Sequence, residues 1–306
     1  MPALASGLDY ADLRFLGRPE LIATAILHGP AGVALVDPGP STTLSDLETG
    51  LDRKGIRLAD VRTLLLTHIH LDHAGATGPI VRKHPHIDVI VHARGAPHLV
   101  DPAKLLSSAG RLYGQDMDRL WGEVLPVAAQ RIRAVDGGET QNVVGREIQI
   151  RYTPGHASHH VSYFDAASRV AFVGDTAGIR RGSGKFVLPA TPPPDIDLDV
   201  WRDSEERILG WDPDTLFLTH FGPWHGARQH FRAMFENLGG WSRIVRRLLG
   251  DAALTDTDRE RAFIDEAYLE LQRQVGEREA EDYVKAGGLS YSWQGLARYW
   301  KKRHGG

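Results

Sequence analysis

Cysteine is absent from the 306 residues. No disulfide can form, and no thiolate can serve as nucleophile, redox centre or metal ligand. Iron–sulfur clusters and cysteine-type zinc fingers are excluded with it. Long apolar runs are missing too: no stretch approaches the roughly 18 residues of a membrane span, so no membrane partner is expected. Nor does one sign of charge dominate. Lys plus Arg is 36 and Asp plus Glu is 39, a formal charge of −3, which argues against nucleic acid as a partner. The segment Met1 to Phe15 has acidic residues and no uninterrupted apolar run, unlike a secretory signal, so a cytoplasmic location is expected. Histidine, by contrast, is plentiful at 15 residues. Any bound metal must sit among imidazoles and carboxylates.

Hydrophobic content of 42% and charged content of 25% fit a soluble globular chain. The length allows one large domain, or one domain with an extension. Short apolar runs punctuated by turn residues fill the first 220 residues. Leu21 to Leu27 and Val33 to Val36 flank His28-Gly29-Pro30-Ala31-Gly32 and predict a hairpin. Further strands are expected at 61–66, 87–91, 132–135, 147–152, 161–164, 170–173 and 216–218. Helices are expected at 41–53, with Ser41 or Thr42 as N-cap, at 78–84, at 103–121 with interruptions at Gly110 and Gly114, and at 200–209. Strands in hairpins, then strands alternating with helices, suggest an α+β chain with helices outside its sheets. After residue 226 the strand signals stop. Helices at 228–249, 256–275 and 279–286 follow, broken near Gly239-Gly240, Gly250 and Gly287-Gly288. The expected division is a catalytic domain at 1–226 and a helical C-terminal extension at 227–306. The extension ends in a basic tail, and Trp241, Trp293 and Trp300 suggest a homodimer surface or the packing of a lid.

Thr67-His68-Ile69-His70-Leu71-Asp72-His73-Ala74-Gly75 carries the chemistry. It places four metal-ligand types within six residues, directly after an apolar strand. The spacing is not the i, i+4 pair of a helical zinc motif. His68 and His70 would share one side of an extended backbone, and a turn after Leu71 would bring Asp72 and His73 round. Three further strand ends repeat the pattern: Thr153-Pro154-Gly155-His156, Gly174-Asp175-Thr176 and Thr219-His220. A liganding histidine needs its second nitrogen held by an acceptor. Asp37 and Thr67, both at strand ends, are the expected supports.

These ordered motifs, THIHLDH, TPGH, GDT and TH, resemble those of the metallo-β-lactamase-fold hydrolases, the superfamily that includes glyoxalase II. The resemblance covers residues 20 to 226. It implies an αββα sandwich with metal at one edge between the sheets. It further implies that His68, His70 and His156 hold one divalent ion, that Asp72, His73 and His220 hold a second, and that Asp175 bridges them. Zinc is the expected metal, with iron or manganese compatible with the same ligands. A hydroxide shared by both ions would then attack an ester, thioester or lactone of a small-molecule substrate, with Asp72 and Asp175 as the catalytic carboxylates. Asp175 and the missing cysteine separate the chain from the true β-lactamases, and His70 separates it from the flavodiiron proteins. The segment from Thr153 to Tyr163 is similar to the glyoxalase II pattern, but the basic and tyrosine motifs expected there for glutathione are not seen. Two alternatives share the motifs: a phosphodiesterase or nuclease, and a persulfide dioxygenase with one iron at His68, His156 and Asp175.

Four residues are candidates for substrate contact: His98, Tyr113, Arg180 and His225. His98 and Tyr113 flank a helix expected at the pocket entrance. Arg180, with Arg181 and Lys185, lies in the long loop from Gly178 to Asp195, read either as a cover over the site or as a solvated connection. His225 follows His220 by five residues and is the candidate proton donor to a leaving group.

Overall fold

The computed structural model describes residues 4–181 and 186–304. Among them, twelve strands form two six-stranded sheets. The first contains β1 (Leu8–Asp12), β2 (Ala23–Gly29), β3 (Gly32–Val36), β4 (Val61–Leu65), β5 (Asp88–His92) and β6 (Ile132–Val135), in that spatial order. The strands β1 to β3 pair antiparallel, and β3 to β6 run parallel. The second contains β7 (Thr140–Val143), β8 (Arg146–Tyr152), β9 (Val161–Asp165), β10 (Val170–Phe172), β11 (Thr215–Leu218) and β12 (Gly222–His225). Its strands also follow one another in sequence order across the sheet. Only the β10–β11 pair is parallel.

Between strands of the first sheet lie α1 (Leu44–Asp52), α2 (Leu71–Ala74), α3 (Thr77–Lys83), α4 (Ala96–Val100), α5 (Ala103–Tyr113) and α6 (Met117–Leu120). The later helices are α7 (Leu198–Leu209), α8 (Ala227–Gly250), α9 (Asp256–Val275), α10 (Glu277–Gly287) and α11 (Leu289–His304).

Side-chain alternation explains the layering. Along β4, Leu64 points to a core shared with Leu47 and Leu51 of α1 and Ile80 of α3, while Leu65 points to the other sheet. Along β11, Phe217 faces the inter-sheet core, and Leu216 and Leu218 face the helices. Both faces are covered along β11 and at the Leu64–Leu65 end of β4, so these segments read as short apolar runs. The inter-sheet core includes Leu27, Ile90, Ile150, Tyr163 and Phe172. The third core joins the second sheet to α7 through α11, with Trp201, Phe231, Trp241, Phe263, Tyr283 and Trp293. The result is an αββα sandwich with C-terminal helices packed on its second helical face.

Several local expectations need correction. Helix α8 runs unbroken through Gly239-Gly240, because burial of Phe235, Leu238, Trp241 and Val245 outweighs the weak helix propensity of two glycines. Helix α5 passes Gly110 and stops at Gly114, whose φ is 53°. Ser41 and Thr42 do not cap α1. Their hydroxyls donate across the surface instead, Ser41 to the Gly75 and Glu123 carbonyls and Thr42 to the Leu120 carbonyl. The strands β1, β7 and β12 were not expected. Trp241 and Trp293 are buried within the helical layer, and the Trp300 indole donates to Ser242 Oγ at 2.9 Å. These rings pack within the chain's own helical layer. The basic tail is held by its own chain: Arg303 pairs with Asp199, and Lys301 with Asp256.

Candidate metal centre

The four motif segments leave strands of both sheets at one edge. The segment after β4 carries Thr67 to His73, with His73 inside α2. His156 follows β8, Asp175 follows β10, and His220 follows β11. Two cross-sheet bonds hold this edge shut. Val161 N–H donates to the Thr67 carbonyl at 2.8 Å, and Tyr163 O–H donates to the Leu66 carbonyl at 2.8 Å. Before His156, Gly155 has a φ of +136°, and a Cβ there would lie 2.4 Å from the Trp201 ring. Only glycine lets the loop approach Trp201 this closely. Trp201 Nε1–H in turn donates to the Thr176 carbonyl at 2.8 Å, beside Asp175.

The histidines and aspartates fall into two groups, His68, His70 and His156, and Asp72, His73, Asp175 and His220. Within each group the potential ligand atoms lie within 4.8 Å of one another. Hydrogen bonds at the far side of each ring fix which nitrogen faces inward. His73 Nδ1–H donates to Asp37 Oδ2 at 2.8 Å, His156 Nδ1–H to the Ala190 carbonyl at 2.8 Å, and His220 Nδ1–H to the Leu21 carbonyl at 2.7 Å. Thr67 spends its hydroxyl proton on Asp37 at 2.7 Å. The 3.1 Å contact between Thr67 Oγ1 and His68 Nδ1 is therefore a bond donated by the imidazole. In the neutral rings, the Nε2 atoms of His68, His73, His156 and His220 are then bare lone pairs.

Those lone pairs converge. His73 Nε2 and His220 Nε2 are 3.2 Å apart. His156 Nε2 faces His70 Nδ1 at 3.0 Å. Asp175 reaches both groups: Oδ1 lies 3.2 Å from His73 Nε2 and 3.6 Å from His220 Nε2, and Oδ2 lies 3.6 Å from His156 Nε2. Asp72 Oδ2 is 3.2 Å from His220 Nε2. His68 Nε2 and Asp175 Oδ1 are buried with no hydrogen-bond partner. Buried acceptors facing one another without protons are costly unless a cation lies among them. The donor set therefore fits divalent cations at both groups, and nitrogen with carboxylate oxygen suits zinc, iron or manganese.

Electrostatics divide the two groups. Burial, with the neighbouring imidazoles, holds His68 and His70 well below the ordinary histidine value, and burial also lowers His156. Burial alone would depress His73 as well, but the carboxylates of Asp175, Asp72 and Asp37 raise it well above that value. His220 is raised by Asp175 and Asp72 against the same burial effect. Burial opposes ionisation of Asp72, yet His73 and His220 hold it down at about 2. Protons and cations compete for these lone pairs, so metal retention is expected to fall on acidification. A group with raised imidazoles protonates first on acidification. The Asp72–His73–Asp175–His220 position is thus expected to empty at a higher pH than the His68–His70–His156 position. Elemental analysis after dialysis in steps from about pH 8 to about pH 4.5 checks this. Loss of both ions in one step, or full retention at the acid end, would contradict it.

The four substrate-contact candidates separate. His98 and Tyr113 line a cavity of about 620 Å³ that reaches His70 and Leu71. Arg180 does not line it. Its side chain is buried, with the guanidinium 3.2 Å from the centre of the Trp224 ring, and its N–H donates to the His220 carbonyl. His225 is also misplaced for a proton donor. It sits at the far end of β12, paired with Thr215 at the start of β11, and its Nδ1 contacts Thr215 Oγ1. The loop from Gly178 is no solvated connection: Ile179 bridges Leu188, and Phe186, Val187 and Ala190 are buried. Lys185 lies outside the described residues. Asp37 and Thr67 support the histidines as anticipated. Sequence reasoning missed His160, which is buried, stacks on His68 at 5.1 Å between centroids, and contacts the Thr153 and Thr176 hydroxyls. It also missed His159 on the cavity wall. Their position beside the TPGH motif was the available signal.

Two packed sheets with a histidine–aspartate cluster at their shared edge define a metal-dependent hydrolase of the αββα class. The chain belongs to the metallo-beta-lactamase superfamily, whose family model matches residues 18–220. It is 27% identical over 208 residues to a metallo-beta-lactamase fold-containing protein of Sulfurisphaera tokodaii, covering 67% of this chain and 74% of that one. It is 27% identical over 189 residues to a hydroxyacylglutathione hydrolase of a Synechococcus species, covering 61% of this chain and 60% of that one. Among solved structures, a metallo-beta-lactamase family protein of Thermus thermophilus superposes with a TM-score of 0.72 at 22% identity, covering 99% of this chain and 95% of that one. That likeness carries the fold alone. Among the described residues, no helix is long and apolar enough to cross a membrane.

Proposed function

We propose that the protein hydrolyses an ester, thioester or lactone at a site holding two divalent ions, zinc being the favoured metal. The convergence of five histidines and two aspartates from four strand ends carries the reading. His68, His70 and His156 would hold one ion, Asp72, His73 and His220 the other, and Asp175 would serve both. A bound pair of such ions acidifies water and polarises an acyl oxygen. The chain's own residues set up that chemistry. Asp37 and the Ala190 and Leu21 carbonyls keep three imidazoles in the tautomer that presents Nε2. Two carboxylates leave two dications with net positive charge, which favours an anionic substrate. Hydrolysis adds one water across the acyl bond: a C–O bond forms, the bond to the alcohol or thiol breaks, and the leaving group takes a proton.

The kinship with hydroxyacylglutathione hydrolases supports an acyl substrate. The complete second group supports two ions over the single iron of a dioxygenase. The ion pairs of Lys301 and Arg303 within the chain weigh against a nuclease reading of the basic tail. Elemental analysis coupled to ester, thioester, lactone and phosphodiester panels tests the proposal. The expected result is about two metals per chain with turnover of an acyl substrate. Activity greatest on a phosphodiester, or one iron with oxygen uptake, overturns it.

A further inference from the structure

The cavity beside His70 has the volume of a small-molecule site. One wall is α5, and the other combines Pro192 to Asp195 with Gln294 and Arg298, one turn apart on α11. The edge-to-face contact of Tyr113 with Tyr291, at 5.5 Å between centroids, joins the two walls. The C-terminal helix is therefore part of the cavity and not merely a neighbour of the sandwich.

The lining is rich in positive charge from both walls. Arg94, Lys104, Arg111 and Arg298 all border the cavity. Neutral groups hold three of them in place. Arg298 Nε donates to the Pro194 carbonyl at 3.3 Å, Arg111 donates to Ser107 Oγ at 3.1 Å, and Arg94 lies 5.6 Å from the centre of the Tyr152 ring. Among the described residues, the carboxylate bordering the same space is Asp195, which accepts bonds from Ser158 N–H and Oγ–H. Elsewhere on the surface arginines pair with carboxylates, as Arg119 does with Asp116 and Arg131 with Asp88. Leu105, Ala109, Leu112 and the proline run line the same space beside these cations and give it an apolar surface.

We propose that this cavity selects acyl substrates bearing a permanent anion, carboxylate or phosphate, separated from the scissile carbonyl by an apolar spacer, and that α11 recognises the anion through Arg298. The inference rests on the acyl-hydrolase reading above. The anion can belong to the acyl chain or to the leaving group, and matched substrate pairs distinguish these. One pair is 4-nitrophenyl hydrogen adipate and 4-nitrophenyl hexanoate. The other is the hexanoyl thioester of 3-mercaptopropyl phosphate and that of 3-mercaptopropanol.

In the metal-loaded enzyme, the charged member of at least one pair is expected to have a kcat/KM about tenfold higher, with the gap narrowing in high salt. Arg298→Glu is expected to lower kcat/KM for that member about tenfold, mainly through KM, and to move its neutral partner by less than about twofold. Lys104→Glu, on the opposite wall, repeats the test should the first variant fold poorly. Equal kcat/KM within both pairs, or equal losses on charged and neutral members in a folded variant, overturns the proposal. Calorimetry with the products gives a readout free of turnover. Adipate should bind more tightly than hexanoate, or mercaptopropyl phosphate more tightly than mercaptopropanol, and Arg298→Glu should erase the difference. If no substrate is cleaved but that binding preference stands, the hydrolase reading fails and the anion site survives. No preference in either pair of products sinks the anion site whatever the turnover.

Discussion

Replacing Asp175 with alanine is expected to reduce bound metal from about two ions per chain to one or fewer and to cut hydrolysis at least a thousandfold, since about 4 kcal/mol of lost electrostatic and Lewis-acid stabilisation corresponds to that factor. The reason is geometric. Asp175 is the residue whose two oxygens point into both groups, Oδ1 toward His73 and His220 and Oδ2 toward His156. No other side chain in the cluster divides its ligand atoms this way. It is also one of two carboxylates there, so its removal deprives the imidazole-rich site of half its negative charge. Asp175→Asn separates charge from shape. It keeps one oxygen and the side-chain volume, but its NH₂ must aim at a bare imidazole nitrogen. It is therefore expected to retain more metal than the alanine variant while losing most of the rate. Plasma emission analysis of dialysed protein, read beside kcat/KM on the best acyl substrate, checks both variants. Near wild-type activity in Asp175→Ala would sink the two-ion assignment.

The sequence made the cluster legible because its candidate ligands sit in short segments that directly follow buried strands. Order and local context therefore carry the information, and tertiary detail adds little. His68, His70, Asp72 and His73 fall within six residues, and each remaining ligand ends its own apolar run. The sandwich was legible for a related reason: β11 is buried throughout, and the Leu64–Leu66 end of the β4 segment and Val89–Val91 of β5 are short buried apolar runs. What escaped were elements whose pattern is weaker than their context. β7 has a single buried residue, Val143, among four, and β12 begins Gly222-Pro223 and shows almost no strand composition. Helix α8 survives two glycines because its partners bury the apolar stripe. Arg180 and His225 share one cause. Proximity in sequence to Asp175 and His220 suggested proximity to the substrate, but a strand lasts only until the next turn. Gly222 starts β12, which pairs back along β11 and carries His225 away from the metal edge. Arg180 is turned into the core beside Trp224. Arg298 showed in the sequence only as part of a basic tail, 78 residues past His220, with nothing local to tie it to the site. Only the docking of α11 brings it to the cavity.

The second large effect is expected at Asp37, which touches no substrate. Its carboxylate is fully buried and accepts four bonds, from Thr67 N–H at 2.8 Å, Thr67 Oγ–H at 2.7 Å, Thr219 Oγ–H at 2.7 Å and His73 Nδ1–H at 2.8 Å. Through these contacts one residue at the end of β3 ties together the turns after β4 and β11 and orients the imidazole of His73, a proposed ligand. In Asp37→Asn the amide cannot be placed without conflict. With its NH₂ at the Oδ1 position it meets the Thr67 N–H, a donor against a donor. With its NH₂ at the Oδ2 position it meets His73 Nδ1–H. His73 can relieve the second clash only by shifting its proton to Nε2, which removes the lone pair offered to the centre. The expected cost is about 2–4 kcal/mol of stability, because hydrogen bonds to a buried charged acceptor are lost and a donor is left unpaired. Metal affinity should fall about 10–100-fold, the usual effect of losing the group that orients a liganding histidine. Urea unfolding of the metal-free protein measures the first quantity, and competition with a coloured chelator measures the second. The decisive comparison is between them. If Asp37 acted only as structural glue, the metal-free unfolding midpoint would drop while chelator competition in the folded range stayed unchanged. A drop in affinity confined to one of the two ions, that held by His73, is the signature of an orienting carboxylate.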